Sequence, residues 1–212
     1  MKSNSTVDLY KKFYSDLQFE RAGLFKAVQE KYNCQHVLYP GSFVHITPSF
    51  FFPHVVYIDR DPKAQSFFAD RDSVSAYINS RKTYKRSAYF RFIAHDYAAA
   101  IPLLDEEFDL LISLYAGGIY PACQNYLKRG GILLTNNHHH EVEDVASQGE
   151  FKLVAVIQFR QNRYLFIEEN LDSFVANQTT ATKAKRYLKQ NNHGVTYTEN
   201  EDYYIYQRDF RH

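Results

Sequence analysis

Apolar residues follow two different rhythms along this chain. From Val7 to Tyr32 they recur every three or four positions, at Leu9, Phe13 and Leu17 and again at Leu24, Phe25 and Val28, with Lys and Glu between them. That spacing gathers them on one helical face and predicts a helical N-terminal stretch, with Gly23 dividing it in two. Short runs rich in β-branched and aromatic residues come next: His36–Tyr39, Val55–Ile58, Tyr89–Ala94, Phe108–Ser113, Gly131–Thr135, Leu153–Ile157 and Tyr164–Glu168. Helical patterns at Pro62–Ala69, Val74–Lys82, Ala98–Leu104, Ile119–Leu127 and Val142–Gln148 are interspersed among them. Apolar strands alternating with helices predict parallel βαβ units buried on both faces. The last two runs are joined only by Gln158–Arg163, too short for a helical crossover, which predicts an antiparallel hairpin at one edge.

After Asn170 the texture changes. Leu171–Gln190 is polar with a weak helical pattern at Ala181, Ala184 and Leu188. Gly194–Arg208 alternates Val195, Tyr197, Tyr203 and Ile205 around the acidic turn Glu199–Asp202, the pattern of a small β-hairpin. The expectation is an α/β domain over residues 1–170 and an accessory helix and hairpin over 171–212.

Composition narrows the partners. A formal net charge of +1 over 212 residues gives no strong pull toward nucleic acid or anionic membrane. The basic stretch from Arg81 to Arg91 interleaves Tyr84 and Tyr89 with cations, as an RNA-contact face does, but a solvated connector is the favoured reading. With 18 Tyr and 17 Phe but no Trp, most aromatic side chains are expected in the core and some along a binding face. Lys and Glu interrupt the early apolar runs, and no run is long enough for a membrane helix. With two cysteines lacking metal-type spacing, Cys34 and Cys123, this points to a reducing cytoplasm and no membrane partner.

The segment 37–59 carries the clearest chemistry. The run Val37–Tyr39 stops at Pro40-Gly41-Ser42, and the run Val55–Ile58 ends in Asp59. A turn glycine lets backbone approach a ligand, and a carboxylate ending the next strand accepts hydrogen bonds from a ribose diol. Asp61, just before Pro62, is expected to cap the following helix, and Arg60 is a candidate partner for Asp59. Asp96, after the third strand run, is suited either to a ligand contact or to a helix cap. In Ser113–Gly118, Tyr115 and the Gly117-Gly118 pair are suited to a ligand-facing loop, with a flexible loop as the equal alternative. Asn136–Glu141 contains His138, His139 and His140, with Glu143 and Asp144 behind. These groups are suited to metal binding or to a general base. Three consecutive histidines on a loop do not converge on one ion, so an exposed helix start is expected and no metal site.

Taken in order, residues 18–170 resemble the class I S-adenosylmethionine-dependent methyltransferases. Val37–Ser42 sits where the family's first glycine motif lies, and Asp59, twenty residues beyond Tyr39, where its ribose-binding acid lies. Phe92–Tyr97 looks like the third motif, with Asp96 as its acid. Phe108–Ser113 looks like the fourth strand with its preceding Phe-Asp pair. Leu127-Lys128-Arg129-Gly130-Gly131-Ile132-Leu133 matches the L-K-P-G-G-x-L turn into the fifth strand. The resemblance implies a Rossmann-like, mostly parallel sheet with an antiparallel final hairpin, N-terminal helices and a small α+β C-terminal appendage. It implies methyl transfer from S-adenosylmethionine to an unidentified acceptor. Tyr39, Gly41, Ser42, Asp59, Asp96 and Ser113 would contact the cofactor, and Tyr115 and His138 would face the acceptor. The first motif departs from the family pattern. Only Gly41 survives, Pro40 removes a donor, and Phe43 adds bulk where the methionine part would approach. The alternative is therefore a catalytically degenerate relative that binds a ligand or partner.

Overall fold

The structure, a computed structural model, describes residues 6–101, 107–136, 141–147, 149–174, 188–191, 194–197 and 202–209. Its frame is an eight-stranded sheet in the order β3-β2-β1-β4-β5-β10-β6-β7. The first five strands are β1 (His36–Pro40), β2 (His54–Asp59), β3 (Tyr89–Ala94), β4 (Phe108–Ser113) and β5 (Leu127–Thr135), parallel to one another wherever they pair. Strand order reverses between β1 and β4, so a crevice opens at their carboxyl ends, where ligands of open α/β sheets bind. Strands β6 (Phe151–Arg160) and β7 (Arg163–Ile167) form the expected antiparallel hairpin at one edge.

The tail corrects one expectation. Gly194–Arg208 is not a hairpin. Strand β9 (Gly194–Tyr197) pairs with β8 (Leu188–Asn191), while β10 (Tyr203–Arg208) inserts antiparallel between β5 and β6. The physical reason is burial: Tyr203, Tyr204, Ile205 and Tyr206 are all interior, a both-faced apolar run that a two-stranded exposed hairpin cannot accommodate. Leu188–Gln190, read as the end of a weak helix, is strand. The rest of that helix reading falls mainly on residues 175–187, outside the described residues.

Two apolar layers cover the sheet. Val37, Tyr39, Val55, Tyr57, Leu110 and Ile112 face helices α2 (Ala22–Tyr32), α3 (Pro62–Ala69) and α4 (Arg71–Arg81). Leu38, Val56, Ile58 and Leu111 pack on the other side with α5 (Ile119–Cys123) and α6 (Glu141–Ser147). The strict alternation of Val37, Leu38 and Tyr39 between layers is the two-residue period of a strand buried on both faces. Most tyrosines named in the core carry their hydroxyls to partners: Tyr10 to Glu20 and Thr47, Tyr57 to Ser49, and Tyr206 to the Val142 carbonyl.

Local departures have local causes. The N-terminal stretch is α1 (Thr6–Tyr10), a π turn at Lys11–Ser15, and then α2. The break spans residues 16–21, with Gln18 at φ +55 and Arg21 at φ +53, rather than falling at Gly23, which lies inside α2. Between β1 and β2 there is only a 3-10 turn, Thr47–Phe50. The helix read at Ile119–Leu127 ends at Cys123, a 3-10 turn follows, and Leu127 already belongs to β5. The LKRGG segment is therefore not a turn before the strand but a bulge within it. Pairing jumps from Phe108 opposite Leu127 to Leu110 opposite Ile132, with Gly130 at φ +77 and Gly131 crowded by Leu127 and the Lys128 carbonyl. Residues 97–100 form turns, not the start of the helix expected at Ala98–Leu104, and 102–106 lie outside the described residues. No described helix is long and apolar enough to cross a membrane.

Candidate functional site at the carboxyl edge

The topology brings the ends of β1, β2, β3 and β4 to one rim. Gly41 follows β1 at φ +62, a conformation that favours glycine, and its N–H continues the ladder to the Ile58 carbonyl at 2.8 Å. Asp59 ends β2, half-buried. Its Oδ2 accepts the Phe43 backbone N–H at 2.7 Å and its Oδ1 accepts the Asp61 N–H at 2.8 Å. Phe43, at φ +48, is thus turned so that its amide meets the acid, while its ring packs edge-on against Phe13 at 5.2 Å. Asp61 caps α3 as expected, accepting the Lys63 N–H at 2.6 Å.

Arg60 does not pair with Asp59. It reaches across to Asp96 after β3, Nη1 to Oδ2 at 2.7 Å. Asp96 also accepts the Ala98 N–H at 3.0 Å; that bond, with Arg60 beside it, holds its carboxyl below the usual range. Asp96 thus caps a turn rather than a helix. His95 bonds the Ala100 carbonyl through Nε2 at 3.1 Å and takes no part in the rim.

Three of the sequence-picked residues are engaged elsewhere. Tyr39 is buried, with its hydroxyl 3.0 Å from Nδ1 of His45. His45 Nε2 is 3.1 Å from the Glu20 carbonyl, so Nε2 donates there and Nδ1 accepts from Tyr39. Burial, reinforced by Arg21, pushes the His45 imidazole down to about 3, so it stays neutral. Ser42 is buried and donates to the Phe43 carbonyl at 3.3 Å. Ser113 donates to Glu141 Oε2, which also accepts from Thr135 Oγ1 at 2.9 Å, while Oε1 accepts the Tyr120 N–H at 2.9 Å. Glu141, 3% exposed, therefore ties β4, β5, α5 and α6 together.

The loop after β4 packs against the glycine turn. A Cβ placed on Gly41 would sit 2.4 Å from the Ala116 Cβ and 3.4 Å from Tyr97 Cε1, so both lie directly against the glycine turn. Tyr97 donates its hydroxyl to the Gly117 carbonyl at 2.9 Å, reaching from the β3 loop to the β4 loop. Tyr115, at φ +65, accepts a hydrogen bond from Arg21 Nη2 through its hydroxyl. Chemically the rim suits a nucleoside: two carboxylates end adjacent strands beside a bare glycine at the switch point. Ala116 and Tyr97 fill the space beside the glycine on the side where its Cβ would point. His138, His139 and His140 lie outside the described residues, and among those described no three His, Cys, Asp or Glu are grouped to hold a metal.

Sequence reasoning missed Tyr97, Arg21 and the structural role of Glu141. In the sequence Glu141 stands beside the histidines, and its only signal is the apolar Val142 and Val145 behind it, which bury that helix face. Nothing in the sequence links Arg21 to Tyr115. Within the basic stretch Arg81 forks onto Glu20 and Tyr84 donates to the Ser49 carbonyl, while Lys85, Arg86 and Tyr89 are exposed. Cys34 and Cys123 are both free and buried, and burial pushes each thiol up to about 12.

No family model and no curated protein matches this chain. Solved structures do. A protein described as an O-methyltransferase from Klebsiella pneumoniae aligns over 99% of this chain and 92% of its own, at 9% identity and a TM-score of 0.50. One described as a methyltransferase from Thermoplasma acidophilum aligns over 83% and 69%, at 13% identity and the same TM-score. The fold is that of the class I methyltransferases. The O-methyltransferase TomG from Streptomyces achromogenes, solved with S-adenosylmethionine, also aligns, over 98% and 91% at 11% identity and a TM-score of 0.47.

Proposed function

We propose that this methyltransferase-fold chain transfers a methyl group from S-adenosylmethionine to an acceptor. The observation that carries the reading is the placement of Asp59 and Asp96 at the ends of adjacent strands, beside Gly41 at the switch point. Each carboxylate is oriented by a backbone N–H. An ionised carboxylate keeps further acceptor sites after one such bond per oxygen. Asp59 would accept from the ribose hydroxyls and Asp96 from the adenine amine. Gly41 would contribute close backbone approach. The side chains of Tyr39, Ser42 and Ser113 are committed to His45, the Phe43 carbonyl and Glu141, so their contribution would be through backbone alone.

S-adenosylmethionine supplies a methyl group on a strongly electrophilic sulfonium. The chain's own task is then positional, since holding two reactants in line removes much of the entropic part of the barrier. Tyr115 and His138 are the residues assigned to the acceptor side. The second reading, a non-catalytic binding protein, is favoured by the contact of Ala116 and Tyr97 with Gly41. Calorimetric titration with S-adenosylmethionine and S-adenosylhomocysteine decides between them. Binding that is weakened at least about tenfold in Asp59→Ala, a loss of about 1.4 kcal/mol, supports the cofactor site. No heat from the intact protein up to millimolar ligand sinks it in favour of the second reading.

A further inference from the structure

Three consecutive residues of the loop after β4 are each held by a different part of the chain. Ala116 rests on the Gly41 turn, and the Gly117 carbonyl accepts from Tyr97. Tyr115 is held from the N-terminal segment. The Arg21 guanidinium lies 4.4 Å from the Tyr115 ring centre and 3.6 Å from that of Phe19, and its Nη2 bonds the Tyr115 hydroxyl. Its Nε donates to the Tyr203 hydroxyl on β10 at 2.8 Å, anchoring the stack to the sheet. We infer that Arg21 is a latch by which the N-terminal segment keeps the carboxyl-edge crevice shut.

Arg21 and Tyr115 both sit in the left-handed region, at φ +53 and +65. Residues with a Cβ persist there only when their surroundings over-determine them, so each end of the stack holds the other in place. Arg21 is 4% exposed, whereas Gly117 and Gly118 are exposed, and nothing lies within 4 Å of where a Gly118 Cβ would point. The loop therefore has a free pivot at one end and a buried clasp near the other. The clasp also has somewhere to go. A groove of about 380 Å³ lies between the N-terminal turn and the β6–β7 hairpin, lined by Gln18, Glu20, Arg21, Asn162 and Tyr164. In the released state the guanidinium turns into that groove, Tyr115 is freed, and Ala116 withdraws from Gly41.

The inference deepens the proposed function, because the crevice it opens is the proposed cofactor site, yet it can be tested without a ligand. Hydrogen exchange of the full-length protein, read by mass spectrometry on peptides covering 114–118 and 41–43, compares the intact chain with Arg21→Gln, Tyr115→Phe and Tyr97→Phe. Arg21→Gln is expected to speed exchange in both peptides by about tenfold while peptides from β1, β2 and β4 keep their protection. Tyr115→Phe, which removes one hydroxyl and keeps the ring, gives a smaller acceleration in the same peptides. Tyr97→Phe speeds 114–118 alone. Unchanged exchange at 114–118 in Arg21→Gln and Tyr115→Phe overturns the latch, as does acceleration spread evenly over the sheet. If a tenfold gain in open population raises S-adenosylmethionine affinity tenfold, latch and cofactor site are one system. Local opening with unchanged affinity upholds the latch and separates it from the cofactor site, whereas local opening with no S-adenosylmethionine binding to either protein upholds the latch and sinks the cofactor reading.

Discussion

Asp59 and Glu141 are carboxylates on the same edge of the same sheet, on opposite sides of the switch point, and they have opposite surroundings. Asp59 is half-exposed at the end of β2 and is held by the Phe43 and Asp61 amides. Glu141 is interior and is held by Ser113, Thr135 and the Tyr120 amide. A carboxylate shut in among hydroxyls and an amide works as a rivet, because removing it strands buried donors. A carboxylate oriented by turn amides at the rim gives up little stability and keeps acceptor capacity for a ligand. The difference separates scaffold from site where residue type does not.

The sharpest way to break that contrast is to delete each acid. Glu141→Ala should cost roughly 3–5 kcal/mol in urea unfolding, and Asp59→Ala about 1 kcal/mol or less. Equal losses would mean that both acids are rivets. Next in size is Gly41→Ala, expected to cost roughly 2–4 kcal/mol from left-handed strain and from the clash with Ala116. Adding Ala116→Gly should recover the steric part alone, leaving the strain. A third test concerns His45, buried beneath the turn. Its folded pKa lies below the ordinary histidine value, so its contribution is complete above about 6.5 and falls as pH drops toward about 3. The loss is about 1.4 kcal/mol per pH unit, or roughly 2 kcal/mol by pH 5. Urea midpoints at pH 7 and pH 5 should show it, and His45→Phe should abolish that component even though it lowers stability at pH 7. The smallest effect is expected from Arg60→Ala. Asp96 should titrate closer to the ordinary carboxylate value by NMR yet stay below it, since the Ala98 N–H remains. Any stability due to Asp96 is present above the ordinary carboxylate range and lost as pH falls through its lowered value.

Much of the scaffold was legible in the sequence because burial leaves a periodic trace. Strands β1, β2 and β4 are largely apolar on both faces, and the alternation of strands with helices implied a parallel sheet. Asp61 before Pro62 announced its cap, and the positions of Asp59 at the end of β2 and Asp96 just after β3 were legible as candidate contacts. What failed to show depends on contacts distant in sequence. Tyr203–Tyr206 alternated like an exposed hairpin strand, yet it is the strand between β5 and β6, a pairing fixed by partners about fifty and seventy residues away. Arg21 and Tyr115, 94 positions apart, carry no local pattern that would join them. Tyr97 read only as the residue after an acid, and its ring against Gly41 depends on how the β3 loop turns back.

The central claim is that the Asp59 side of the edge is the ligand site and the Glu141 side its support. Backbone amide NMR during titration with S-adenosylhomocysteine tests it most directly. The predicted result is saturable shifts at Gly41, Phe43, Asp61 and Ala98, whose amides line the turns or bond the two rim acids, with Tyr120 unmoved. Shifts centred on Tyr120, or none at any of these amides at millimolar ligand, would contradict it.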